Sequence, residues 1–170
     1  AYLACVAAVD DNIGEVLDAL SDSGLDKNTI VLLASDHGFH MGEKDYLYKN
    51  SLWEESTRVP LMIRVPGITK AGSKVSRTVS LIDVYPTLLD LCGLSSNTTK
   101  NEKGLPLDGE SLVPFLNNPN TEKWTGAPAA LTVVFAGNDH KNDPSMQHYA
   151  IRTSQYRYIL YNNCLLYTSP

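Results

Sequence analysis

The densest chemistry in this chain sits at Asp36, His37 and Gly38, where the apolar run Ile30-Val-Leu-Leu-Ala34 stops. An adjacent carboxylate and imidazole can both ligate a metal ion, and Gly38 lets the main chain turn sharply beneath them. An ordinary strand-to-loop turn with Asp36 capping a helix would leave the same residues in the same order, so the tripeptide alone keeps both readings open. The loop that follows, Phe39-His-Met-Gly-Glu-Lys-Asp-Tyr-Leu-Tyr-Lys49, adds His40, Lys44 and Lys49. Each could present positive charge or a hydrogen-bond donor to an anionic group beside the metal. Lys49 is the best placed, because Ser51-Leu-Trp-Glu-Glu55 begins an ordered segment that holds its backbone still. A positioned ammonium next to a metal ion clamps a tetrahedral oxyanion.

These residues need a scaffold. The run Ile30–Ala34 is short, continuous and β-branched at its start, which predicts a fully buried strand of a parallel sheet, with its carboxyl end as the place where ligands collect. Before it, Leu3, Val6, Val9, Ile13, Val16, Leu17 and Leu20 recur at helical spacing, predicting an amphipathic helix with one face on the sheet and Gly24 beyond its end. Asp10 and Asp11 read as a solvated pair. Val59-Pro-Leu-Met-Ile-Arg-Val65 predicts a second strand, entered at Pro60. Ser80 to Gly93 predicts a second helix with Pro86 in its first turns, Asp83 as a partner of the helix dipole and Cys92 buried. Asp108 to Leu116 predicts a short helix or turn over a sheet edge. Ala130–Phe135, Tyr149–Thr153 and Tyr156–Tyr161 predict strands, the last two joined as a hairpin across Ser154-Gln155. Arg152, Arg157, His140 and His148 fall in this last region, where the sequence leaves open whether they face a cleft or water.

The totals narrow the function classes. The 170 residues, 43% of them hydrophobic, suit one domain or a domain with a small appendage. Nineteen acidic against 14 basic residues give a net charge of -5 with no basic run, which disfavours nucleic acid and anionic membranes as partners. No apolar stretch approaches the roughly 20 residues that span a bilayer. Cys5, Cys92 and Cys164 are too few and too dispersed for a disulfide framework or a zinc cage. The chain opens at Ala1-Tyr2 inside a helix and reads as a piece of a longer protein.

Three segments together resemble the type I sulfatases of the alkaline-phosphatase-like superfamily. They are Ser35-Asp-His-Gly-Phe-His-Met-Gly-Glu43, Lys49-Asn-Ser-Leu-Trp-Glu-Glu-Ser-Thr-Arg-Val-Pro-Leu61 and Ser80-Leu-Ile-Asp-Val-Tyr-Pro-Thr-Leu88. Within that family the likeness is to the iduronate-2-sulfatase-like and choline-sulfatase-like branch, and it runs from Tyr2 to about Tyr161. The resemblance implies an α/β fold, the C-terminal part of an alkaline-phosphatase-like sandwich with a small antiparallel C-terminal subdomain. It implies hydrolysis of a sulfate ester of a sugar or other small alcohol at a calcium site, with Asp36 and His37 as metal ligands and Lys49 contacting the sulfate. Calcium prefers oxygen donors, so the imidazole is in tension with it, although other members carry Asn at the position of His37. The family's nucleophile is a formylglycine made within Cys/Ser-x-Pro-x-Arg, and none of Cys5, Cys92 or Cys164 starts that pattern; the resemblance places it upstream.

The same comparison divides the chain into residues 1–94, part of the catalytic α/β domain; 95–128, a connector; 129–163, the antiparallel subdomain; and 164–170, a tail that departs from the family. It implies work outside the cytosol, in a periplasmic, extracellular or lysosomal compartment. Asn97-Thr-Thr99 is a glycosylation sequon if the protein is secreted from a eukaryotic cell. Two other readings fit the residues: a phosphoric or phosphonic ester hydrolase binding zinc or manganese through Asp36 and His37, and a non-catalytic domain on the same scaffold.

Overall fold

The first long apolar periodicity becomes helix α1, Tyr2–Asp22, and Gly24 follows it in the left-handed region at φ 70°, a conformation that costs glycine little. The computed structural model describes residues 1–99, 103–135 and 143–161, together with the backbone of 164–168; His140 lies outside the described residues. No residue of α1 is buried. Ile13, Leu17 and Leu20 are half-buried, while Leu3, Val6, Val9 and Val16 stay exposed, so the expected docking along a sheet is not seen among the described residues.

Strand β1, Val31–Ala34, pairs with β2, Leu61–Arg64, and the pairing is antiparallel: Val31 faces Arg64 and Ala34 faces Leu61. This corrects the parallel, fully buried strand expected from the apolar run. The reason lies in the connection. A parallel pair needs a crossover that carries the chain back along the strand, usually a helix of several turns. Here the only α-helix between the strands is α2, Glu54–Thr57, a single turn. The chain therefore re-enters beside the end of β1, and Ser35 N–H donates to Pro60 O at 3.4 Å. With one described strand neighbour, β1 is half-buried and Ala34 is exposed.

Leu61 and Ile63 point from β2 onto a buried cluster of Leu112, Phe115 and Trp124. Leu112 and Phe115 lie at the start and on the inner face of α4, Val113–Asn117, so the predicted short helix covers the face of β2. Helix α3, Val84–Leu91, opens from a short 3-10 turn at Leu81–Asp83 with Ser80 and Asp83 as a capping box. The carboxylate of Asp83 is buried and spent on structure: one oxygen accepts Ser80 N–H at 2.8 Å and the other accepts Glu110 N–H at 2.9 Å. Cys92, expected in the core, is exposed, because it sits at the C-cap where Gly93 turns the chain away at φ 64°.

The C-terminal part is an antiparallel sheet in the order β3, Ala130–Val134; β4, His148–Arg152; β5, Arg157–Tyr161; β6, Cys164–Thr168. The predicted hairpin across Ser154-Gln155 is present, closed by Thr153 N–H donating to Tyr156 O at 2.8 Å. The backbone of 164–168, expected as an unrelated tail, adds the fourth strand. Ala150 and Ile159 project from the sheet onto Leu52, and all three are buried, with Trp53, Val134 and Tyr161 packed around them. That second core joins the sheet to the segment beginning at Lys49.

Candidate active site

At the end of β1 the main chain folds on itself in a few short bonds. Ser35 Oγ–H donates to His37 O at 2.8 Å, and Asp36 Oδ1 accepts His37 N–H at 3.0 Å. The imidazole is oriented by its own neighbour, with His37 Nδ1 at 2.8 Å from Gly38 O. A carbonyl only accepts, so Nδ1 carries the proton and Nε2 keeps its lone pair. Lys49 Nζ lies 2.8 Å from that Nε2, and Asp36 Oδ2 lies 3.5 Å from it. The Asp36 carboxylate oxygen and the Lys49 ammonium thus both approach Nε2 of His37. Ligand atoms bound at right angles, each about 2.0–2.5 Å from one ion, stand roughly 3–3.5 Å apart, so the Asp36 and His37 donors fit a shared divalent cation. Among the described residues no group of three or more His, Cys, Asp or Glu side chains could hold a metal ion.

Gly38 does more than turn. Its N–H donates to Ser56 O at 2.8 Å, and a Cβ built on it would overlap Glu55 O. Its φ lies outside the left-handed region, so the need is close approach to α2 and not backbone freedom, a different reason from the expected sharp turn.

The other two basic residues of the loop are engaged away from His37. His40 is fully buried, with Nε2 at 2.7 Å from Ser51 Oγ, Nδ1 at 3.2 Å from Glu43 O and its ring against the edge of Tyr46. It braces the loop and offers no nitrogen to solvent. Lys44 turns its ammonium over the Trp53 ring, 4.5 Å from the centroid, a cation–π contact. Glu43 Oε2 accepts Met41 N–H at 2.7 Å, and such backbone donors hold its carboxyl below the usual range. Of the residues singled out in the sequence, the structure brings Asp36, His37 and Lys49 together and leaves His40 and Lys44 in the loop's framework.

The cleft in front of the pair, about 390 Å³, is lined by His37, Tyr48, Lys49 and Asn50. Tyr48 and Asn50 were not singled out in the sequence, and their position either side of Lys49 was the available signal. Tyr48 is half exposed, meets Phe39 at a tilt and packs edge-to-face with Tyr46. Arg152 and Arg157 do not line this cleft. Both turn to Glu54, Arg157 Nε donating to Oε2 at 3.0 Å and Arg152 Nε lying 3.5 Å from the same oxygen. His148 packs its ring against Tyr161 within the sheet.

The Asp-His pair at the strand exit thus has a lysine in direct contact with its imidazole at the edge of a cleft, and comparison with known proteins gives the family. Residues 1–94 match the sulfatase family, and the chain belongs to that family. A sulfatase of Formosa agariphila is 38% identical over 163 residues, covering 96% of this chain and 28% of that protein. Arylsulfatase K of Danio rerio is 36% identical over 160 residues, covering 94% of this chain and 28% of its own. The fold is shared with a solved complex containing its substrate D-glucosamine-2-N,6-O-disulfate, at a TM-score of 0.76 and 34% identity, over 95% of this chain and 31% of that one. It is also shared with a phosphonate monoester hydrolase of Agrobacterium radiobacter, at a TM-score of 0.78 and 30% identity, over 96% and 33% of the two chains. The chain spans under a third of the length of these relatives. No helix among the described residues is long and apolar enough to cross a membrane.

Proposed function

We propose that the complete protein carrying this chain hydrolyses a sulfate monoester of a sugar. In this reading Asp36 and His37 supply two ligands of a calcium ion, and Lys49 holds the charge of the sulfate. The observation that carries it is the convergence of Asp36 Oδ2 and Lys49 Nζ on the unprotonated Nε2 of His37. When bound, the divalent ion polarises the sulfate oxygens and offsets the charge that develops as the ester bond breaks. Lys49 does the rest from this chain. Its four-carbon stem would let the ammonium, held beside His37, reach an anion in the cleft. The backbone carbonyl of Gly38 holds the imidazole at Nδ1, which leaves Nε2 as the nitrogen that would face an ion. The remaining donors of a calcium site, and the formylglycine nucleophile that the family resemblance implies, belong to parts of the protein outside this chain.

A sugar sulfate is favoured over other small esters because Tyr48 offers a half-exposed ring beside Lys49, a platform for the apolar face of a pyranose. The solved complex with glucosamine disulfate supports the same substrate class. The phosphonate hydrolase likeness supports a second reading, a phosphonic or phosphoric ester hydrolase with a transition metal on the same pair. The deciding experiment is Lys49→Ala in the complete protein, assayed with a sulfate ester and with a phosphonate ester alongside metal analysis. Loss of about 10²–10³ in kcat on the sulfate ester, calcium in the wild type and an unchanged circular dichroism spectrum are expected. Sulfate-ester turnover unaffected by the substitution would refute the role of Lys49. A transition metal with preferred turnover of the phosphonate would establish the second reading.

A further inference from the structure

Lys49 is presented by a segment whose anchor lies in the C-terminal sheet. Three residues beyond it, Leu52 is fully buried against Ala150 and Ile159. Arg157, itself buried, reaches the same stretch from β5. Its Nη1–H donates to Leu52 O at 2.7 Å, its Nε–H to Glu54 Oε2 at 3.0 Å, and its Nη2–H to the same carboxylate oxygen. One planar guanidinium thus ties a main-chain carbonyl and a side chain of one segment, across more than 100 positions of sequence, in a fixed fork that an ammonium cannot reproduce. Arg152 adds an ion pair to Glu54 at 3.5 Å, and Arg58 faces its other oxygen at 3.9 Å.

The same segment anchors the other half of the site. Gly38, which holds the His37 imidazole through its carbonyl, is docked by its own N–H onto Ser56 O in α2. Displacing residues 52–56 therefore moves Lys49 from one side and His37 from the other, and their 2.8 Å separation depends on where the sheet holds that segment.

We infer that Arg157 is a positioning residue of the active site, setting Lys49 against His37 and making the C-terminal sheet part of the catalytic apparatus. The inference rests on the role proposed for Lys49, and the experiment separates the two. A double-mutant cycle in the complete enzyme compares wild type, Lys49→Ala, Arg157→Ala and the double variant, reading kcat and KM for one sulfate ester and monitoring folding by circular dichroism. Arg157→Ala is expected to lower kcat by about 10- to 100-fold, since an ångström of misplacement is costly in a reacting site. In the Lys49→Ala background the same change should cost several-fold less than in the wild type, because one of the two groups being positioned is gone. Arg157→Lys, which keeps the charge and loses the fork, should fall between wild type and alanine. Equal fold-losses in both backgrounds would overturn the positioning role while leaving that of Lys49 intact. Unchanged kcat in Arg157→Ala would overturn it as well. If Lys49→Ala alone leaves kcat unchanged, the Lys49 reading fails first and the inference falls with it. Should Arg157→Ala fail to fold, Arg157→Lys carried through the same cycle decides, with coupling supporting the inference and additivity overturning it.

Discussion

Replacing Gly38 by alanine tests the geometric core of the site with one methyl group. The added Cβ would overlap Glu55 O, lie 2.9 Å from Glu55 C and lie 3.3 Å from Ser56 Cα, where real Cβ atoms essentially never come under 3.0 Å. The obstacle is backbone, so no side-chain rotation relieves it. Either α2 retreats by on the order of 1 Å or the 36–38 turn does, because close-packed interiors have no slack to absorb the methyl. Overpacking costs about 1–3 kcal/mol, and stretching the Gly38 N–H to Ser56 O bond adds about 1 kcal/mol, so the stability of the complete enzyme should fall by about 2–4 kcal/mol. Activity should fall further than stability predicts, by about 10²-fold in kcat, because the displaced atoms carry His37 and Lys49. Gly93→Ala is the control. At φ 64° with open space around it, it strains the backbone far from His37 and should cost stability alone. Urea unfolding and steady-state kinetics on the two variants provide the readout. Wild-type kinetics and stability in Gly38→Ala would refute the close-approach argument, and equal activity losses in both glycine variants would refute its link to the site.

Two further outcomes follow from named side chains. Asp36→Ala should weaken divalent-metal affinity, measured by calorimetry on the complete protein, by about one order of magnitude or more, and full retention of the metal contradicts the ligand assignment. Burial pushes the phenol of Tyr161 above its usual 10.0, so the folded state favours the neutral form. That contribution is full below pH 10.0 and is lost as pH rises through the raised value, so Tyr161→Phe should flatten the alkaline limb of the stability curve, and an unchanged limb speaks against it.

Local features were readable in the chain, and long-range ones were not. The adjacency of Asp36 and His37, the helix beginning near Ser80 and the hairpin across Ser154-Gln155 depend on neighbouring residues, so spacing alone revealed them, whereas Asp83, read as a dipole partner, closes a capping box with Ser80. The direction in which β1 pairs depends on how residues 35–60 return, and an apolar run looks the same in either orientation. His40 and Lys49 are both basic residues of one polar loop. What separates them is burial against Ser51 and Tyr46, which the loop's composition does not encode. Cys92 follows a helical period that places it inside, yet the helix ends one residue before it. Arg157 stayed open between a cleft and water, because its partners lie more than 100 positions away. Lys49 was the loop's best-placed cation because an ordered segment follows it, but its 2.8 Å contact with His37 was not readable, since neither residue type at a separation of 12 demands the other.

The register of the β4–β5 hairpin places Arg152 directly opposite Arg157. Two guanidinium groups on facing positions repel, so a hairpin formed early carries an unrelieved electrostatic penalty at its turn end. Glu54 arrives from elsewhere in the chain and sits between the two cations, which makes closure of the hairpin and delivery of α2 a single cooperative event. The C-terminal sheet and the Lys49 segment therefore share one electrostatic clamp, and neither is fully satisfied without the other.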